Sequence, residues 1–328
     1  MRILFLGGTG NLSTACAALL HEQGHQVQIL SRGRRPVPPH YLAIQGDRHD
    51  LPRLSDQIAS ANPEVVIDWI GFEPADLELT HAAFRGRLRQ YIYISSATVY
   101  QRPVPRLPIT ESTPLGNPFW DYAQRKLACE EWLNGHRDGF PCTIIRPSHT
   151  YSHLWVPNPV SSAGYSFAAR LERSEPVYVP DDGTSLWTLT AASDFAVGVA
   201  GLVGREEALG EAFHITSDEA LTWPQIIRET GAALGVEPNI VPVPTDFICG
   251  VLPELKGNLK GDKANSLVFD NSKLIRIVPE FRCRKPFAVG IRESIAWLRE
   301  HAGDHNLNPK VDATIGAVLS AWDKHSHP

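Results

Sequence analysis

The sequence predicts an α/β protein: a doubly wound parallel sheet with a smaller α/β substrate-binding subdomain. Three observations predict it. Residues 3–30 read strand, glycine turn, helix, strand; two more apolar runs of strand length follow at 65–70 and 91–94; and a serine at the end of the last run is followed by Tyr122 and Lys126, four residues apart.

Ile3 to Leu6 is a short continuous apolar run, as expected of a parallel strand buried on both faces. Gly7-Gly8-Thr9-Gly10 comes next, and then Leu12, Cys16, Leu19 and Leu20 recur at helical spacing until Gly24 supplies a stop. Val27 to Leu30 is a second strand, closing a βαβ unit of the usual ~30 residues. Glycines in such a turn let the backbone approach a pyrophosphate, whose charge sits against the helix N-terminus. Gly7 and Gly10 are expected to make that approach, with Thr9, Asn11 and Leu12 in the same turn. Ser13 stands where a third glycine is common and is small enough for close helix–strand packing. The unit is of Rossmann type, and it predicts a bound dinucleotide.

The second strand ends Leu30-Ser31-Arg32-Gly33-Arg34, without the acidic residue that takes the ribose hydroxyls in NAD enzymes. Arg32 or Arg34 is suited to a 2′-phosphate, so NAD(P) is the expected cofactor and NADP is favoured over NAD. A plainer reading is that one arginine stacks on adenine beside Ser31 and the other is solvated. Asp47, after a third short strand, is placed to accept from the adenine amino group or simply to cap a helix.

Val65 to Ile70 reads as a fourth strand and Tyr91 to Ile94 as a fifth, which delivers Ser95 and Ser96 to its carboxyl end, where ligands bind in open parallel sheets. Asn117-Pro118 is expected to open a helix that carries Tyr122 and Lys126 on one stripe. Free tyrosine has a pKa of about 10, so its use as a base near neutrality needs roughly 4 kcal/mol of differential stabilisation. A lysine ammonium nearby, with the charge of an oxidised nicotinamide, supplies it in a dry site. Ser96 is expected to orient the substrate oxygen, and Lys126 also to hold the nicotinamide ribose.

Composition narrows the remaining classes. A net charge of −5 spread along the chain argues against nucleic acid as a partner. Five scattered cysteines with no Cys-x-x-Cys spacing argue against a disulfide framework or a zinc knot, so no metal is expected. The glycine motif follows the first strand directly and no apolar run reaches the ~20 residues of a membrane span, which leads to the expectation of a cytoplasmic protein.

With Gly7, Gly10, Gly46-Asp47, Ser96-Ala97-Thr98-Val99-Tyr100, Thr110-Glu111, Tyr122, Lys126 and Ile145-Arg146-Pro147 in this order, the chain resembles the extended or atypical short-chain dehydrogenase/reductases, the NAD-dependent epimerase/dehydratase family. The short stretch between Asp68 and Tyr91 resembles an atypical branch that includes chloroplast stem-loop RNA-binding proteins, and it leaves homodimer formation open. The resemblance implies an enzyme that oxidises a hydroxyl of a polyol, whether sugar, nucleotide sugar or nucleoside, and returns the hydride as an epimerase or dehydratase. Ala97-Thr98, in place of an acidic pair and as epimerases have it, leans toward transient oxidation with reduction from the other face, or toward a simple reduction. The alternative is net reduction of a carbonyl by NADPH, and a distant one is RNA binding on the same fold.

A dinucleotide-binding core over residues 1–155 and a mainly substrate-binding subdomain over 156–328 are expected, with about 176–203 returning to the core. Glu111, His149, His153 and Trp187 are the candidate substrate residues; each also has a duller reading as a cap, a solvated side chain or a core aromatic. The lysines between Lys256 and Lys263 suit a substrate phosphate or a solvated loop.

Overall fold

The computed structural model describes residues 1–160, 164–301 and 307–327. The chain opens with β1 (Arg2–Leu6), α1 (Ser13–Glu22), β2 (Gln26–Ser31), β3 (Leu42–Gln45), α2 (Ser55–Ala61), β4 (Val65–Asp68), α3 (Pro74–Phe84), β5 (Gln90–Ile94), α4 (Asp121–Gly135) and β6 (Cys142–Arg146). It continues through β7 (His149–Tyr151), α5 (Ser166–Glu172), β8 (Val177–Pro180), β9 (Leu186–Ala191), α6 (Ala192–Leu202) and β10 (Ala212–His214). The last third holds β11 (Ala220–Thr222), α7 (Trp223–Leu234), β12 (Ile240–Val243), α8 (Thr245–Val251), α9 (Lys256–Asn258), α10 (Ser272–Ile277), α11 (Phe287–Glu300) and α12 (Pro309–Ser326).

Seven strands form one sheet in the order β10-β6-β5-β4-β1-β2-β3, every neighbouring pair parallel. Alternation along β1 explains why both faces are covered: Ile3 and Phe5 join Cys16 and Leu20 of α1 and Phe195 and Val199 of α6. Leu4 and Leu6 face the other way, into Leu77 and Phe84 of α3 and Cys129 and Leu133 of α4. The expected Rossmann-type sheet is therefore present, with β10 and α10 reaching it from the second half of the chain.

A second core lies under β8, β9, α5, α7, α8, α11 and α12 and is built around Trp187, Trp223, Phe287 and Ile291. Its strands form two small sheets, β11-β9-β7 and β12-β8. Thr222 and Gln225 cap α7 reciprocally, and Gly235 ends it in the left-handed region at φ 80°. The terminal helix α12 docks by burying Val311, Ile315 and Val318. All five cysteines are free. No helix among the described residues is long and apolar enough to cross a membrane.

One expected element boundary is corrected. Helix α4 starts at Asp121 behind Trp120, and Asn117 does not cap it. The buried Asn117 amide instead donates to Thr98 O at 2.9 Å and Gly261 O at 2.8 Å, so it is a cross-link between two loops.

Candidate active site

The first turn is shaped as a phosphate cradle. Gly7 has φ +75°, and a Cβ there would lie 2.7 Å from Ile70 Cγ2; at Gly8 it would lie 2.8 Å from Ile29 Cγ2. Ser13 Oγ accepts from Gly10 N at 2.9 Å, so the hydroxyl braces the turn at the position where a third glycine is common. No acidic residue sits in the first turn of α1, which keeps its positive end open to an anion. Asn11 Oδ1 accepts from Ser152 Oγ, while its Nδ2 is buried with no partner. Thr9 O accepts from Arg35 Nη1 at 2.8 Å, an arginine that sequence reasoning passed over. Leu12 takes the N-cap position of α1. These features fit a dinucleotide pyrophosphate.

At the end of β2, Ser31 is half-buried and Arg32 and Arg34 are exposed. Arg32 is near enough to Asp47 to help hold its carboxyl below the ordinary range, although the backbone N–H of His49 does most of this. Asp47 accepts that N–H at 3.0 Å and caps the 3-10 turn from Arg48. Below it, Arg48 is buried with its guanidinium on Asp68 Oδ1 at 2.9 Å and Thr80 Oγ1 at 2.9 Å; Asp68 also accepts from the Tyr91 hydroxyl at 2.8 Å. This network anchors the end of β4 at the switch point of the sheet.

Ser96, Tyr122 and Lys126 come together at the end of β5. Ser96 Oγ accepts from Thr98 N at 3.2 Å and Thr98 Oγ1 at 2.9 Å, and it lines the same cavity as Tyr122. A serine hydroxyl has two acceptor lone pairs and one proton, so with both lone pairs taken Ser96 keeps its proton to donate. Lys126 is buried and donates to Gly71 O and Ile94 O, both at 2.8 Å, leaving one N–H for a ribose hydroxyl.

The electrostatics differ from the expected acidification of Tyr122. Burial pushes the phenol above its ordinary value, the neighbouring Ser96 hydroxyl pulls it partly back, and Asp262 pushes it up again. Lys126 Nζ lies 6.0 Å from the centre of the Tyr122 ring, with two of its protons held by carbonyls. Burial also brings Lys126 down to about 8, against the opposing pull of Asp68.

Beside Ser96 and Tyr122 opens a cavity of about 140 Å³, whose walls include Trp120, His149, Trp155, Asp262 and Lys263. His149 is thus at the site, with Nδ1 at 2.8 Å from Lys263 Nζ. Burial, and then the Lys263 charge, hold its imidazole well below the ordinary range. Trp187 stands behind it as a core residue, 5.9 Å from His149 and 5.1 Å from Trp223 between ring centres.

The other two candidates lie elsewhere. Glu111 accepts from His214 N at 3.1 Å and lines a separate cleft of about 490 Å³ with Arg137, Arg146 and Lys273. His153 is exposed, and its ring lies tilted against Trp297 with centres 4.4 Å apart. Between the cleft and the cavity, Arg146 grips Glu130, which accepts from Ser95 Oγ at 2.5 Å and so steadies the residue before Ser96. Of the basic stretch, Lys260 pairs with Asp246 and Lys263 with Asp262 at 3.0 Å. No group of three or more His, Cys, Asp or Glu among the described residues is placed to hold a metal.

Comparison with known proteins agrees with this geometry. Residues 3–215 match the NAD dependent epimerase/dehydratase family. The 2'-dehydrokanamycin reductase of Streptomyces kanamyceticus is 26% identical over 333 residues, spanning 98% of this chain and 92% of that protein. The chloroplast stem-loop binding protein of 41 kDa b of Arabidopsis thaliana is 30% identical over 73% of this chain and 65% of its own length. In fold, the chain matches UDP-glucose 4-epimerase from Thermotoga maritima, solved with UDP-glucose, at TM-score 0.74 and 19% identity over 92% of this chain and 100% of the other.

Proposed function

The chain belongs to the NAD dependent epimerase/dehydratase family and is an NAD(P)-dependent enzyme, and from that premise we propose that it reduces a ketone on a sugar-like ring with NADPH, Tyr122 delivering the proton. One observation carries the reading: the Tyr122 phenol lines a cavity beside Ser96 and keeps its proton because its surroundings raise it above the ordinary value. A protonated phenol is the acid that carbonyl reduction needs.

The dinucleotide, when bound, supplies a hydride to the substrate carbon. Gly7, Gly10 and the open end of α1 receive its pyrophosphate, Lys126 offers its remaining N–H to the ribose, and Arg32 takes a 2′-phosphate. As charge develops on the carbonyl oxygen, Tyr122 gives up its proton and the Ser96 hydroxyl stabilises the oxygen left behind. Lys126, cationic below about 8, lowers the cost of that negative charge. Support for the sugar ring comes from the size of the cavity and from the reductase that matches over nearly the whole chain.

A second reading, redox-neutral epimerisation, uses the same three residues and is favoured by Ala97-Thr98 after Ser96. Absorbance at the nicotinamide band separates the two. With 2'-dehydrokanamycin and related glycoside ketones, NADPH should be consumed mole for mole with alcohol formed, whereas an epimerase leaves the band unchanged. Tyr122→Phe should lower kcat by about 10²–10⁴-fold while NADPH affinity stays within a few-fold; near-normal turnover would refute the assignment.

A further inference from the structure

The cavity wall opposite Tyr122 carries a buried arrangement that the hydride step does not use. Leu259–Lys263 is a π-helical turn, a rare conformation that tends to occur at functional sites. It turns Asp262 and Lys263, adjacent in sequence, into the interior together, each 6% exposed. It is also tied to the catalytic loop, since Gly261 O accepts from Asn117 Nδ2, which bonds Thr98 O as well, and from Arg102 Nε at 3.1 Å.

Lys263 Nζ has two polar partners, Asp262 Oδ2 at 3.0 Å and His149 Nδ1 at 2.8 Å, and lies 4.4 Å from the Trp187 ring centre. An ammonium only donates, so His149 Nδ1 must be the acceptor and the ring proton must reside on Nε2. That Nε2 is buried with no partner. Two more orphaned polar atoms sit on residues lining the same cavity: Ser148 Oγ and Trp155 Nε1. Buried polar groups without partners carry a cost of about 1–3 kcal/mol each, so three around one cavity indicate a ligand that satisfies them.

We infer that Lys263 locks His149 as a neutral Nε2–H donor, and that His149, with Trp155 Nε1–H and Ser148, positions the substrate of the proposed reduction by its oxygen lone pairs. The inference rests on that reading for the identity of the cavity. It also narrows the substrate class. Two of the three groups are donors, and the Lys263 charge is cancelled by Asp262, so the wall suits a neutral polyhydroxylated ring rather than a phosphate. His149 is a positioning residue.

The test is nitrogen-15 NMR of imidazole-labelled protein without dinucleotide, with His149→Gln used to assign the signal, so that its result is independent of the redox chemistry. In the wild type His149 should be the Nε2–H tautomer, neutral throughout the mildly acidic range. In Lys263→Met the tautomer should no longer be fixed. The double variant Asp262→Asn, Lys263→Met gives the same result without a lone buried carboxylate, should the single variant fold poorly. Methyl glucoside should shift the Nε2 resonance and UDP should not. His149→Gln should weaken glucoside binding about tenfold, the size of one lost hydrogen bond. A wild-type Nδ1–H tautomer overturns the lock; a response to UDP alone, or no response to glucoside, overturns the ring class. Failure of Tyr122→Phe to slow reduction would strike the proposed reaction and leave these results standing.

Discussion

At the scale of single residues, position decides between chemistry and support. Lys126 makes this measurable because two consequences of its burial run in opposite directions. Its value falls from 10.5 to about 8 on folding, so between those limits the unfolded chain holds the proton and the folded chain does not. Its contribution to stability therefore rises as pH climbs from about 8 toward 10.5, while activity that needs the ammonium falls over the same window. A pH profile of kcat/KM with an alkaline limb near 8, set beside urea midpoints at the same pH values, checks both signs. Arg32→Gln should reduce the preference for NADPH over NADH by about tenfold or more, the worth of a charge-assisted bond; an unchanged ratio of dissociation constants would assign that arginine to solvent. Gly7→Ala forces an L side chain into φ +75° against Ile70, at a cost of about 1–2 kcal/mol in urea unfolding and with weakened dinucleotide binding.

Elements show where local sequence is informative and where it is not. The βαβ opening was legible because its signals, the apolar runs of β1 and β2 around a glycine turn, lie within a few residues; the α7 cap is equally local in the structure, with Thr222 against Gln225 and Gly235 at the stop. Thr222→Ala should accordingly cost about 1 kcal/mol in thermal or urea unfolding. Asn117 was misread for the opposite reason. Its side chain looks like a cap, but its partner Gly261 is 144 residues away, and no local pattern reports a bond of that span. Asn117→Ala should leave α4 intact by circular dichroism and lower kcat about tenfold, since it strands the Thr98 carbonyl and leaves Gly261 O held by Arg102 alone, a penalty of about 1–3 kcal/mol. Lys263 was hidden in the same way: a lysine-rich stretch reads as solvated until the π turn and His149, 114 residues distant, place the charge indoors. Glu111 illustrates the converse, a plausible acid whose carboxylate is spent on the backbone N–H of His214.

Across the whole molecule, strands β1, β2, β4 and β5 followed from sequence because a parallel sheet buried on both faces demands continuous apolar runs, whereas their spatial order and the addition of β10 did not. The glycine turn is tied to the segment after β7, where Ser152 Oγ donates to Asn11 Oδ1. NADPH at a hundredfold excess over its Kd should thus stabilise the chain by about 2.7 kcal/mol, read as a shift in the urea midpoint, and Ser152→Ala should diminish NADPH affinity without abolishing the shift. The position of β10 has a consequence for biosynthesis. The sheet's outer edge is closed by residues 212–214, and the layer behind it is finished by Leu274, Val278 and Phe281. While the ribosome is still reading the middle of the message, β6 is a bare edge with its hydrogen-bonding groups open to other chains. The amino-terminal half cannot complete its own interior until most of the polypeptide has emerged, so slow translation through this interval would lengthen the period of greatest aggregation hazard.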